Sequence, residues 1–344
     1  MAAVDQYLNW TAEEFVKKTS FDWKSIANAK IAVTGSTGLI GSQLVRSLLA
    51  ANASFGLNVS LILPVRNLEK GAGLFGNVDN IEYMKWALGD TLSFHESVDY
   101  VVHAACSTSS KSFTLTPATT ISQIVSGGEE TLKAALESSA KRYLFLSTME
   151  VYGEVEGLAT EDNLGKLDPM VVRNSYPEAK RLVECLAASY VVEHGLSASV
   201  LRLAQTFGQG VARDDMRVFA DFGRHAVSGD DIILLSDGLK RNGYLSVNDA
   251  VSAILTVLVN GEPGEAYNAV NQDTYCSIKE MAELVLSQFG SEGATVRREF
   301  DSEREATFRK SSNLRLDATK LRNLGWSSQE SLVDMYHMMI DGWI

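Results

Sequence analysis

From Lys30 onward the chain alternates short apolar runs with amphipathic stretches. The runs are "KIAVTG", "VSLILPV", "VDYVVHAA", "RYLFLST" and "ASVLRLA". Between them, apolar residues recur at helical spacing from Ser42, after "VSLILPV", over about 121 to 139 and over about 176 to 194. Continuous apolar runs mark strands buried on both faces, and the amphipathic connections supply the covering layers. The pattern predicts an α/β fold, a Rossmann-type doubly wound parallel sheet over residues 29–204. Ahead of it, 1–28 reads as an N-terminal helical extension, with Tyr7, Leu8, Phe15 and Trp23 set among charges. Beyond Phe207 the rhythm loosens into helices, glycine-containing turns and short strands, ending in a helix around 328 to 341. This predicts a smaller, partly interleaved C-terminal substrate lobe over 205–344, with parts of 240–272 returning to the first domain. No repeat or proline-rich linker interrupts the chain, so the lobes are expected to share a cleft.

Composition narrows the partners. A net charge of -12 over 344 residues disfavours nucleic acid or an anionic membrane, both of which call for clustered Lys and Arg. No apolar run reaches the length of a bilayer span, and the start "MAAVDQYLNW" has no basic and apolar leader pattern. Cys106, Cys185 and Cys276 lie far apart without metal-ligand spacing, which argues against a disulfide framework or a metal site. A soluble cytoplasmic protein is expected.

The first strand runs into "TGSTGLIG", placing Gly35, Gly38 and Gly41 ahead of a helix. Glycines there allow a tight turn and close backbone approach to a pyrophosphate, whose charge the helix N-terminus stabilises. The second strand ends in "LILPVRNLEK", without the acid that would bind a free ribose 2′-hydroxyl. Arg66 pairs with a 2′-phosphate in one reading and is a solvated arginine in the other; the first favours NADP(H) over NAD(H). Pro64 donates no ladder bond and is expected at the strand's end.

"NSYPEAKRLVECL" sets Tyr176 and Lys180 four residues apart on one helix face, with Ser175 and Glu178 spaced for a capping box. An ammonium near a phenol lowers its pKa and makes it a usable proton acceptor. Together, "TGSTGLIG", "HAA", "LST" followed by "VYG", and "YPEAK" resemble the extended short-chain dehydrogenase/reductase family, in its nucleotide-sugar epimerase, dehydratase and decarboxylase branch. "LRLAQTFG", "GLKRNGYLSVNDAV", "EAYNAV" and "LDATKLRNLGW" extend the resemblance over nearly all of 29–340.

The resemblance implies an NAD(P)-dependent enzyme with Thr148, Tyr176 and Lys180 as the hydride-transfer site. Gly35, Gly38 and Gly41 would hold the pyrophosphate, Asp90 would approach the adenine, and Ala104 and Ala105 would line the dinucleotide. Thr37, Leu39, Ile40, Thr91, Leu146, Ala204 and Thr206, with Tyr176 and Lys180, would also contact the cofactor. Arg241 corresponds to an arginine for the substrate diphosphate and Phe219 to the lining of the substrate nucleotide. Gln205 stands where the family usually has Asn. The helices over 121–139 and 176–194 would form a four-helix homodimer interface. In "CSTSSKS", Ser107, Thr108 and Lys111 belong either to a substrate loop or to a solvated one, and His103 reads as a packed residue.

Which reaction follows turns on "TMEVYG". A 4,6-dehydratase of this branch has two adjacent acids after the Thr, and here the first is Met149. Glu150 is catalytic or a loop-bonding residue. If the strand pleat continues through "STME", Thr148 and Glu150 share a face and Met149 packs on the other. The expectation is oxidation of a nucleotide-linked sugar, at C4 by family analogy, then decarboxylation or epimerisation. Net reduction of a keto sugar with NADPH, dehydration, and a non-catalytic dinucleotide-binding protein are the alternatives.

Overall fold

Each apolar run enters one parallel sheet. The computed structural model describes residues 3–106, 110–155, 157–299 and 313–343. Along the chain, α1 (Ala3–Lys18) precedes β1 (Lys30–Thr34), α2 (Leu39–Phe55), β2 (Ser60–Val65), α3 (Leu68–Phe75), β3 (Ile81–Lys85) and β4 (Tyr100–His103). Then come α4 (Ser110–Leu115), α5 (Pro117–Glu137), β5 (Arg142–Thr148), β6 (Leu158–Ala159), α6 (Ser175–His194) and β7 (Ala198–Leu203). The remainder holds β8 (Gln205–Phe207), α7 (Val218–Ser228), β9 (Ile232–Leu234), β10 (Arg241–Ser246), α8 (Val247–Asn260) and β11 (Ala266–Ala269). It ends with β12 (Asn271–Ser277), α9 (Ile278–Phe289), β13 (Val296–Arg298), β14 (Arg315–Leu316), α10 (Thr319–Arg322) and α11 (Leu332–Asp341).

The main sheet has the order β11-β7-β5-β4-β1-β2-β3, and all its pairings are parallel. Strand order reverses between β1 and β4, which opens a crevice at their carboxyl ends. One apolar core, with α2 and α8, covers one face; a second, with α5 and α6, covers the other. A third core, built around Phe207, Phe219, Tyr244, Met281 and Tyr336, holds the C-terminal lobe together. The edges β8, β10 and β12 form a separate small sheet beside the crevice.

Two local expectations are refined. Pro64 sits one residue before the end of β2, beyond the last β1 pairing at Ala32–Ile62, so its missing N–H leaves no gap on that side. The helix carrying Tyr176 does begin at Ser175, yet no capping box forms there: Asn174 precedes it without a side-chain cap. Ser175 instead donates its hydroxyl to the Phe113 carbonyl at 3.3 Å, since a short 3-10 turn, Val172–Asn174, already leads the chain into the helix.

α1 docks across the body. Arg46 of α2 pairs with Asp5 at 2.8 Å and bonds Asn9, and the Tyr7 hydroxyl donates to the Met338 carbonyl at 3.0 Å. Beneath it, Asp249 at the start of α8 accepts the backbone N–H groups of Gln329 and Glu330 at 2.8 and 3.3 Å. Glu330 in turn accepts from the Asn248 side chain at 2.7 Å. Burial lifts the Asp249 carboxyl to about 6, and burial with the neighbouring Asp249 lifts Glu330 to about 7. Both groups are therefore easier to protonate folded than unfolded. Their stabilisation is full below the unfolded carboxyl range and is lost as pH rises through those two values. The thermal midpoint of Glu330→Gln should fall less steeply than that of the wild type between about pH 4 and about pH 7. Parallel midpoint curves for the two proteins would remove the carboxyl pair as the cause.

Candidate active site

Strand β1 delivers the chain into Gly35 with φ +72°, where a Cβ would lie 2.6 Å from the backbone carbon of Ala104 beyond β4. A Cβ on Gly41 would lie 2.3 Å from the Gly35 carbonyl oxygen. The turn is thus pressed against the end of β4 and against the first turn of α2. Ala105 donates its N–H to Thr34 Oγ1 at 3.3 Å, and the same hydroxyl meets His103 Nδ1 at 2.8 Å. Burial, with the Lys180 ammonium nearby, pushes the His103 imidazole down to about 3, so it is neutral and packed, as expected from its place at a strand end.

These residues border a cleft of ≈ 780 Å³ lined by residues between 35 and 206 and between 217 and 314. Its lining includes Gly35, Gly38, Leu39, Ile40, Gly41, Ala104, Leu146, Ala204 and Thr206. Thr148, Met149, Glu150, Tyr176 and Lys180 line the same cleft. So do the polar side chains of Gln205, Arg217, Lys240 and Asn242. A second hollow of ≈ 870 Å³ lies between α1, α8 and residues 324–338. Its acids serve the fold: Asp22 and Asp334 cap helical turns, and Asp249 holds backbone N–H groups. The groups suited to chemistry therefore meet in the smaller cleft.

Lys180 is 3% exposed and donates to the Leu146 carbonyl at 2.7 Å, with its ammonium 4.4 Å from the centre of the Phe145 ring. Tyr176, one helical turn earlier, is 7% exposed and stacks on Phe113 with ring centres 4.4 Å apart. Its phenol is not lowered by Lys180 as expected. Burial, with Cys106 and Glu150 alongside, holds it well above its ordinary value, and the Thr148 hydroxyl and Arg173 pull only partly the other way. The reason is geometric: the ammonium is engaged by Leu146 and lies 5.9 Å from the phenol ring centre.

The pleat does not persist past Thr148. The Thr148 hydroxyl accepts the Glu150 N–H at 3.2 Å and starts a 3-10 turn, Met149–Tyr152. Met149 consequently both packs on the core and lines the cleft. Glu150 faces Arg173, with Oε2 3.0 Å from Nη1 and Oε1 accepting from Nη2 at 3.3 Å. Tyr152 of "VYG" works below the site. Its hydroxyl donates to Asn268 at 2.7 Å and accepts from Arg202 at 3.0 Å, while Arg202 pairs with Glu184 at 2.8 Å and Glu184 accepts from Ser147. That buried network anchors the loop from underneath.

Several expected residues stand elsewhere. Phe219 is fully buried and stacked on Phe207 at 4.4 Å, because α7 turns it into the C-terminal core; it is not among the described residues that line this cleft. Arg217, which caps that helix and lies over the Phe219 ring, takes the position at the wall. Arg241 is drawn to Glu280 at 3.0 Å and stacks over Tyr275, so among the described residues Lys240 and Asn242 line the cleft in its place. Asp90 folds back to accept the Ala87 N–H at 3.0 Å, and Thr91 beside it is exposed. Arg66 is exposed just past β2. Thr37 is half-buried in the glycine turn. Ser107 and Thr108 lie outside the described residues, as does the side chain of Lys111. Arg173 was not picked out from the sequence, although its place three residues before Tyr176 was a usable signal.

A parallel sheet reversing at a glycine turn, with a Tyr and Lys on the helix facing it, defines a nicotinamide-dinucleotide-binding α/β enzyme class. Residues 31–270 match the model of the NAD dependent epimerase/dehydratase family, and the chain belongs to that family. It is 28% identical to the low-salt glycan biosynthesis protein Agl12 of Haloferax volcanii, over 90% of this chain and 97% of that protein. It is 30% identical to UDP-glucuronic acid decarboxylase 6 of Arabidopsis thaliana, over 75% of this chain and 74% of that one. The fold is shared with DesIV, a dTDP-glucose 4,6-dehydratase of Streptomyces venezuelae crystallised with NAD and TYD, with TM-score 0.74, 24% identity, and 91% and 96% of the two chains covered.

Gly35→Ala should lower unfolding stability by about 2 kcal/mol or more, since the new Cβ meets backbone on the β4 side in a left-handed conformation. Urea denaturation reads this directly, and an unchanged midpoint would mean that the turn can move away from β4.

Proposed function

We propose that this chain oxidises a hydroxyl of a nucleotide-linked sugar, probed first at C4, and then decarboxylates or epimerises the keto intermediate. The observation that carries the reading is that Thr148, Tyr176 and Lys180 line the same cleft as the glycine turn. The glycine cradle, which a Cβ at Gly35 or Gly41 would fill, fits a dinucleotide pyrophosphate. When bound, the dinucleotide supplies the hydride acceptor for oxidation and the donor for any return step. Lys180 would hold its ribose, with Leu146, Ala204 and Thr206 along its length.

Thr148 orients the sugar hydroxyl, and Tyr176 takes its proton as the hydride leaves the same carbon, giving a ketone. If the neighbouring carbon bears a carboxylate, the β-keto acid loses CO2 and that carbon takes up a proton. If it does not, presentation of the other ketone face before reduction gives the epimer. Dehydration would need an acid at the leaving hydroxyl, and Met149 offers none. The UDP-glucuronic acid decarboxylases among the relatives support decarboxylation. Gln205, Lys240 and Asn242, with Arg217 paired to Asp215 at 2.6 Å, are the lining groups suited to the nucleotide diphosphate.

Ile121 of α5 and Leu182 and Val192 of α6 are exposed apolar side chains, and they support pairing with a second copy through these helices. The described residues contain no helix long and apolar enough to cross a membrane; a cytoplasmic location goes with the proposed chemistry. A second reading, NADPH-dependent reduction of a nucleotide-linked keto sugar, draws on Arg66, exposed where a 2′-phosphate would pair.

Incubation with UDP-glucuronate and UDP-hexoses should give loss of CO2 or an epimer by mass spectrometry and NMR, without net NADPH consumption. Stoichiometric consumption would favour the reductase, and no turnover of any nucleotide sugar would reject both. Tyr176→Phe should lower kcat by about 100-fold or more. Because the phenol is held high, wild-type kcat should rise as pH increases above neutrality.

A further inference from the structure

Arg173 stands at the junction of three groups that the proposed chemistry needs. It lies in the 3-10 turn immediately before α6, three residues ahead of Tyr176. Its guanidinium carbon lies 5.1 Å from the centre of the Phe113 ring, and that ring stacks on Tyr176 at 4.4 Å with planes 14° apart. Its two terminal nitrogens face the two Glu150 oxygens at 3.0 and 3.3 Å. Arginine has only donors, so the carboxylate meets it as an acceptor, through Oε1. The contact is incomplete: the 3.0 Å approach of Nη1 to Oε2 is not aligned as a hydrogen bond, and neither buried atom has another partner. An ion pair held this way, partly buried and braced by an aromatic face, is more strongly felt by its neighbours than a solvated one.

We propose that Arg173 is a positioning residue for the oxidation step: paired to Glu150 and braced on Phe113, it offsets the carboxylate's charge where the Tyr176 phenol must ionise. The inference rests on Tyr176 being the proton acceptor. Unpaired, the Glu150 carboxylate would oppose a phenolate in the same low-dielectric cleft, and the step would slow although Tyr176, Thr148 and Lys180 were all intact. The groups acting on the phenol are Cys106 beyond β4, Thr148 at the end of β5, Glu150 in the turn that follows, and Arg173 before α6; Lys180 is anchored to Leu146 one helical turn along. The same pairing gives Glu150 an acceptor's role, so neither side chain following Thr148 is arranged as a proton donor to a leaving hydroxyl. The arrangement thus selects among the reactions open to a keto sugar as well as assisting its formation.

The test uses dinucleotide-loaded protein and two readouts. The first is the rate of dinucleotide reduction in a single turnover at neutral pH with the nucleotide sugar that the wild type converts. Arg173→Gln should slow it about tenfold, because the carboxylate left unpaired disfavours the phenolate. Glu150→Gln with Arg173→Gln should recover most of that loss, and Arg173→Lys, which keeps the charge without the planar fork, should retain more activity than Arg173→Gln. The second readout needs no substrate: the ring-carbon NMR signal of Tyr176, assigned by its loss in Tyr176→Phe, should titrate at higher pH in Arg173→Gln and return in the double variant. An unshifted titration in Arg173→Gln would overturn the proposal, as would a double variant titrating as high as Arg173→Gln itself. If no nucleotide sugar is turned over, the proposed function fails, and the titration still decides the role of Arg173.

Discussion

The buried ammonium of Lys180 sets the geometry of the cleft. A charge this far from water needs partners, and one is the Leu146 carbonyl near the end of β5. That bond ties α6 to the end of β5. Tyr176, one turn earlier on the same face, is then brought over the crevice opened by the strand-order reversal between β1 and β4. Gly128 on α5 completes the seating, because a Cβ there would meet Val183 of α6 at 2.5 Å. The close helix pair and the buried bond therefore hold α6 from two directions.

What the sequence reveals and what it hides divide along a physical line. Apolar runs are local, and each of those read as strands became one in a shared parallel sheet. The glycine turn was also legible, since its steric demand is carried by residues adjacent in the chain. The fate of charged and aromatic side chains was much less so. Arg241 and Phe219 look alike in sequence whether they face a ligand or a neighbour; Glu280 and Phe207 decided the matter, and neither is near them in the chain. Asp90 was claimed by its own turn. The phenol of Tyr176 was misjudged for a related reason: helical spacing places Lys180 on the same face but does not say that another group already holds the ammonium. Arg173 and Glu150, 23 residues apart, form a pair only because the loop between them is folded over the Arg202 network.

Met149 shows how a single position can serve packing and chemistry together. The chain leaves the sheet at Thr148 and tightens into a 3-10 turn, so the side chain that follows is not sent cleanly to one face. It ends partly against the core and partly in the cleft. A thioether there fills space beside Glu150 and contributes no titratable proton, which leaves the electrostatics of that wall to the Glu150–Arg173 pair and to Tyr176.

The cleft also lies where separate apolar cores come together. The layers around the main sheet and the cluster around Phe207 and Tyr336 each bury their own side chains. A small shear between them would leave both interiors dry. A ligand reaching from the glycine turn to Arg217 and Lys240 would bind across that seam and tie the elements on its two sides together. Occupancy would then be recorded in the sharpness of unfolding as well as in its midpoint.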